Sequence, residues 1–224
     1  HPDDELLGLG GTLNHLVQDN KCQVHVVILG EGITSRSLER NTSDWVKELE
    51  EHKRNISDAK KLIGYQTLST FDLPDNRFDS TPLLDIIKII EGEKAKFQPD
   101  IVFTHHGGDL NIDHQRTFEA VMTACRPMED ECVTTIITFE TPSGTEWRAS
   151  SDPRHFVPNF FVELQSKHLQ AKVDAMECYA YEKRSFPHPR SSQGLRILAG
   201  YRGISVGKKY VEAFQIIRHI IKTN

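Results

Sequence analysis

Two short stretches of this chain concentrate side chains that can ligate a metal or move a proton. The first is His1-Pro2-Asp3-Asp4-Glu5, which runs directly toward Gly8, Gly10 and Gly11. The second, far along the chain, is Gly107-Gly108-Asp109-Leu110-Asn111-Ile112-Asp113-His114. Imidazole nitrogen and carboxylate oxygen both suit zinc, and a catalytic zinc typically takes three protein ligands and leaves one position to water. His1, Asp4 and His114 make such a set if the two stretches meet in space. Two imidazoles and one carboxylate leave Zn²⁺ a net positive charge, so it remains a useful Lewis acid. Water at the open position then has its pKa lowered to about 7. Asp3, beside a ligand but not itself one, is placed to take that proton as general base.

Plainer readings compete. A His-Pro-Asp-Asp turn ahead of a helix could be an N-cap, because Asp caps well and carboxylates suit a helix N-terminus. One Asp is enough for a cap, whereas four polar residues in five with a second cluster far along the chain exceed that need. Asp109 and Asp113 are equally at home as loop formers beside Gly107-Gly108 and Asn111. They could also complete a second metal site, as in a two-metal phosphoesterase, although that chemistry needs more bridging carboxylates than can be placed here. Gly8-Leu9-Gly10 starts a dinucleotide-binding pattern, but Leu13 stands where the third glycine belongs, and the carboxylates before it would repel a pyrophosphate.

The elements that must position these residues read as alternating strands and helices. A short helix is expected after Gly10-Gly11-Thr12, through Leu13, Leu16 and Val17. Cys22–Gly30 reads as a buried strand, and Trp45, Leu49, Ile56, Ala59 and Ile63 recur at helical spacing up to a Gly64 cap. Strands are expected at Thr67–Asp75, Asp100–His106, Val133–Glu140 and Phe156–Leu164. Helices are expected on the Leu83, Ile86, Ile87, Ile90 stripe, at 115–126, around 166–182 and at 208–221. The alternation predicts an α/β, Rossmann-like three-layer fold with a mostly parallel central sheet, as one domain over 1–224. In such sheets ligands sit beyond the carboxyl ends of strands. The second cluster directly follows one, and the first would follow a hydrophobic strand preceding His1; none stands there, and a truncated start is the expected reason.

The bulk numbers fit a globule of that kind. At 224 residues the chain can build one substantial core, and with 38% hydrophobic and 26% charged residues it matches ordinary globular proteins. A net charge of −5 without long runs of one sign argues against electrostatic capture of nucleic acid. The longest apolar runs fall far short of the roughly 20 residues a membrane span requires. No signal peptide opens the chain, and the cysteines (Cys22, Cys125, Cys132, Cys178) form no C-x-x-C pair, so a cytoplasmic protein with reduced thiols is expected. His15, His25 and His219 fall in helix or strand patterns and read as structural.

The double motif resembles the LmbE-like (PIG-L-type) zinc-dependent sugar N-deacetylases. The resemblance rests on His1-Pro2-Asp3-Asp4-Glu5 followed by Gly10-Gly11-Thr12, on Phe97–Val121 with its Asp113-His114, and on Pro187-His188-Pro189-Arg190-Ser191. It implies zinc ligation by His1, Asp4 and His114, with Asp3 as general base. It also implies removal of an acetyl group from an N-acetylglucosamine-type sugar or its conjugate. Many members carry a further histidine three residues before the ligand histidine, where it stabilises the oxyanion or protonates the leaving amine. Here that position is Asn111, which can donate a hydrogen bond but not a proton. Asp3, His106 or His188 would then return the proton, with His106 favoured because it shares the strand-end loop with His114. Arg54, Arg77 and Arg190, together with His188, are candidate substrate contacts, since guanidinium forks suit phosphate or carboxylate. Two alternatives remain beside the deacetylase: the two-metal phosphoesterase and a non-catalytic sugar-binding module. The expected partner is a small N-acetylated sugar, with a homo-oligomer left open.

Overall fold

A computed structural model describes residues 1–221. In chain order the elements are α1 (Asp4–Gln18), β1 (His25–Gly30), α2 (Val46–Ile63), β2 (Thr67–Leu73), α3 (Leu83–Phe97), β3 (Ile101–His105), α4 (Ile112–Ala124), β4 (Thr135–Phe139), β5 (Phe160–Glu163), α5 (Ser166–Met176), α6 (Ser192–Ile204) and β6 (Val211–His219). The fold is α/β. Its residues form two compact units, His1–Asn76 with Phe161–Glu212, and Arg77–Phe160 with the chain from Ala213 on.

In the first unit β1 and β2 pair in parallel, Val27 opposite Ser69. Leu6 and Leu7 of α1, Ile56, Ala59 and Ile63 of α2, and Leu169 and Val173 of α5 are buried. Helix α2 ends where the sequence pattern places it. Gly64 adopts the left-handed conformation (φ 96°) and its N–H bonds Lys60 O at 2.7 Å.

In the second unit β3 and β4 are parallel, Ile101 opposite Thr135, and Val121, Cys125, Val133 and Ile136 form a core cluster. β6 then pairs with β4 antiparallel, so the four-stranded sheet, ordered β3-β4-β6-β5, is mixed rather than parallel throughout.

Several expected elements shift. The helix expected at 208–221 is instead β6. Its opening residues Val211 to Phe214, Glu212 included, are buried one after another, and a covered strand of that kind lacks the alternation that would tell it from a buried helix. The expected helix around 166–182 stops at Met176, and α6 had no forecast. Gly194, Gly200 and Gly203 weaken its propensity, while Ser191 caps it by accepting from Gly194 N at 2.9 Å. α1 begins at Asp4, upstream of the glycines expected to precede it, and α4 begins at Ile112 rather than 115. Among the described residues no helix is long and apolar enough to cross a membrane.

Candidate active site

Each unit carries one of the two polar corners. In the first, Asp3 is left-handed (φ 100°) and buried, and α1 starts immediately after it without a side-chain cap. His1 Nδ1 lies 3.2 Å from Asp4 Oδ2, and its Nε2 lies 3.4 Å from Asp75 Oδ1. Two ligand atoms about 2.0–2.1 Å from a tetrahedral ion are themselves about 3.3 Å apart, so the His1–Asp4 spacing suits ligands of one zinc. Asp75 then stands where a carboxylate orients a ligating histidine through its other nitrogen. The sequence analysis does not single out Asp75, although it closes the strand expected at 67–75 and lies just beyond the end of β2, the position where site residues gather.

Asp3 faces Arg190, whose Nη1 donates to Asp3 Oδ2 at 2.9 Å and reaches Glu182 Oε2 at 3.4 Å. Burial pushes the Asp3 carboxyl well above the usual range against the pull of Arg190, with Asp4, Glu182 and Glu5 adding to the rise. A carboxylate with raised basicity suits general-base work. Glu5 is buried behind it, accepting from Tyr179 Oη at 2.9 Å and from Asp3 N at 3.1 Å. Burial, opposed by the Tyr179 hydroxyl, pushes Glu5 up to about 7. His188 Nδ1 accepts from Arg190 N at 3.2 Å, so this expected contact is tied to its neighbour in the Pro187–Ser191 turn. Arg54 is exposed on α2.

In the second unit the corner lies between β3 and α4. Asn111 caps α4, its Oδ1 accepting from Asp113 N at 2.8 Å, which leaves Nδ2 as the donor end of that amide. His114 is buried, with Nδ1 3.2 Å from Asp109 Oδ1, and its ring stacks on His105 at 4.2 Å between centroids. Asp109 also accepts from Thr145 Oγ1 at 2.6 Å and from Asn111 N at 2.8 Å. Burial would raise the Asp109 carboxyl, but His114, Thr145 and the Asn111 N–H outweigh it and hold it low. An ionised Asp109 against Nδ1 leaves Nε2 as the nitrogen of His114 that could ligate a metal. Asp113 Oδ1 accepts from Phe78 N at 2.9 Å, anchoring the short 3₁₀ turn that follows the half-buried Arg77.

His106 Nε2 sits 2.7 Å from Arg154 O, an acceptor only, so Nε2 carries the hydrogen. Burial lowers its pKa, which favours a neutral ring over a proton-loaded acid. His25 and His219, read as structural, contact Thr67 and Thr135 hydroxyls, each at 2.9 Å.

The first unit holds another histidine–carboxylate group, His15, Asp19 and His168, with His168 Nε2 2.8 Å from Asp19 Oδ2. His168 Nδ1 accepts from Gln165 N at 3.2 Å, so Nε2 carries the hydrogen. A metal ligand needs the reverse, a lone pair on the coordinating nitrogen and a donor on the other. This group ties the end of α1 to the start of α5.

Comparison with known proteins bears on both corners. Residues 1–125 match the family model PIG-L, GlcNAc-PI de-N-acetylase. The chain is 27% identical over 182 residues to the uncharacterized deacetylase YaiS of Escherichia coli (strain K12), covering 79% of this chain and 85% of that one. Among solved structures it is similar to the N,N'-diacetylchitobiose deacetylase of Pyrococcus horikoshii (TM-score 0.75, 19% identity, 97% of this chain and 81% of that one). It is also similar to GalB, the 4-carboxy-2-hydroxymuconate hydratase of Pseudomonas putida KT2440 (TM-score 0.72, 19% identity, 100% of this chain and 95% of that one). At such identity these two likenesses establish the fold and leave the reaction to the site.

Proposed function

The chain belongs to the PIG-L, GlcNAc-PI de-N-acetylase family, and from that premise we propose a zinc-dependent hydrolase that removes the acetyl group from an N-acetylglucosamine-type sugar or its conjugate. Residues 1–224 would act as a single deacetylase domain. The observation that carries the reading is that the family match spans both corners, 1–5 and 105–114, in which Asp3, Asp4, Asp109, Asp113 and His114 are buried.

His1, Asp4 and His114 would hold the zinc, with Asp75 and Asp109 orienting the two imidazoles. When bound, the ion would polarise the acetyl carbonyl and acidify water. Asp3 takes the proton of the attacking water, and Arg190 holds the Asp3 carboxylate in place. The Asn111 amide donates to the oxygen that gains charge. With His106 kept neutral by burial, Asp3 is the better-supported group to return its proton to the departing amine. Arg77, Arg190, His188 and Arg54 remain the candidate contacts to the rest of the substrate, and Arg54 is the weakest, being exposed on α2.

The test separates two adjacent carboxylates. Asp4→Asn should lose zinc and turnover together. Asp3→Asn should keep zinc at full occupancy while acetate release falls roughly 10²–10⁴-fold. Zinc content and acetate release from a panel of N-acetyl sugars are measured side by side. Zinc and activity retained in both variants would overturn the reading, and two metals per chain would favour a phosphoesterase.

A further inference from the structure

The glycine run behind the acidic corner has no part in the proposed reaction, yet its surroundings are unusual. α1 is broken at Leu9 (φ −148°, ψ 21°). A break leaves N–H groups of the following turn and carbonyls of the preceding turn without helical partners. Two side chains from far along the chain take them up. Glu212 accepts from Gly11 N at 3.1 Å and Thr12 N at 2.6 Å, the task of an N-cap. Lys172 Nζ donates to Leu7 O at 2.9 Å and to Glu212 Oε1 at 2.7 Å. Both side chains are only 5% exposed. The carboxylate thus meets the positive end of the second half-helix and the ammonium the negative end of the first.

Gly10 and Gly11 make the approach sterically open. A Cβ on Gly10 would lie 3.1 Å from Lys172 Cγ, and one on Gly11 would lie 2.5 Å from Leu164 Cδ1 and 3.3 Å from Glu212 Oε1. Stability alone is a poor account of the pair, because desolvating two charges typically cancels much of their attraction. Its bonds to both sides of a broken helix supply a better one.

We propose that Lys172 and Glu212 are positioning residues: they splice the two halves of α1 and so hold the half-helix that begins at Asp4, and with it the Asp3–Asp4 corner, in its working orientation. This rests on the reading of Asp4 as ligand and Asp3 as base. The first half-helix is too short to persist without such anchors.

The test is the double variant Lys172→Met with Glu212→Gln. It leaves no unpaired buried charge and keeps one acceptor oxygen, for Gly11 N or Thr12 N, but removes the other acceptor and the donor to Leu7 O. Ile63→Val, in the core of α2, serves as a control that changes stability only. Zinc Kd by chelator competition, kcat and KM on zinc-loaded protein, and amide hydrogen exchange at residues 4–8 are each referred to the folded fraction. The double variant should weaken zinc by roughly tenfold, lower kcat by a similar factor and speed exchange at 4–8. KM should stay unchanged. Wild-type zinc affinity, kcat and exchange together with a lowered Tm would reduce the pair to a structural role and overturn the proposal. If the double variant fails to fold, Lys172→Gln with Glu212→Gln, which also leaves no unpaired buried charge but keeps a shorter donor near Leu7 O, is read in the same way. Wild-type zinc affinity, kcat and exchange in it would likewise overturn the proposal. A wild-type protein that binds no zinc would refute the metal reading instead, and exchange at 4–8 would then decide by itself whether the splice holds the corner.

Discussion

The two polar corners solve one problem by different means. Both must hold buried carboxylates at a helix start. In the second unit the means are largely local: Asn111 caps α4 and its N–H bonds Asp109, with His114 beside it, while Thr145 and Phe78 add donors from more distant parts of the chain. In the first unit α1 lacks a side-chain cap, follows a left-handed Asp3, and is broken at Leu9. Its support comes from Tyr179, Lys172, Arg190 and Glu212, all distant in sequence. The contrast extends to charge. Asp109, with His114 among its donors, is held low, whereas Glu5, with Tyr179 and the N–H groups of Asp3 and Glu5 set against burial, rises to about 7. How a buried carboxylate titrates follows the charge of its partners as well as its burial: His114 lowers Asp109 through its charge as well as its hydrogen bond, whereas the neighbouring Asp4 raises Glu5.

Substitutions in zinc-free protein, followed by urea unfolding, can break this comparison. The largest effect is expected at Asp109→Asn, which weakens a charged acceptor for three groups and should cost about 2–3 kcal/mol. A loss below that of Glu5→Gln would invert the contrast.

A pH effect comes next. His114 has Asp109 beside it, whereas His52 is buried with neither ring nitrogen hydrogen-bonded. Burial, against the pull of Glu182, holds the His52 imidazole below its ordinary pKa. The unfolded chain therefore takes up a proton near pH 6.5 that the folded state refuses, so stability is full above that pH and declines as pH falls through it. Between pH 7.5 and 5.5 the loss assigned to His52 should be at most about 1.4 kcal/mol. Replacing it in His52→Leu should remove that share of the acid slope, and an unchanged slope would show that His52 takes its proton normally when folded.

Asn111→Ala removes the α4 cap and should cost about 1 kcal/mol. Glu5→Gln should cost less than about 1 kcal/mol, because the amide oxygen can accept from Asp3 N while its Nε2 donates to the Tyr179 hydroxyl, which can turn to accept. A larger loss there would show that Glu5 is held as an anion.

Local rules made the second corner readable in advance. A strand ending near His105, a glycine turn and a following helix are all encoded within a few residues, although the helix, expected from 115, starts at Ile112 behind an Asn111 cap and takes in the proposed ligand His114. Helix α2 with its Gly64 cap was legible for the same reason. β6 was not, because a strand covered by its neighbours loses the alternation that marks a strand. Nor was α6, whose glycines mask it and whose cap depends on a single serine.

By itself, the sequence determined the alternation of strands and helices, the two clusters of ligand-type residues and the family they mark. It could do so because hydrophobic period, caps and motif spacing are properties of neighbouring residues. The tertiary structure decided that Arg190 faces Asp3, that Tyr179 backs Glu5, and that Asp75 flanks His1. It also decided that the glycine run is a passage for Lys172 and Glu212 rather than a phosphate cradle. Those pairings join residues whose separation along the chain carries no local signal, and burial sets their charge states only once the fold has closed around them.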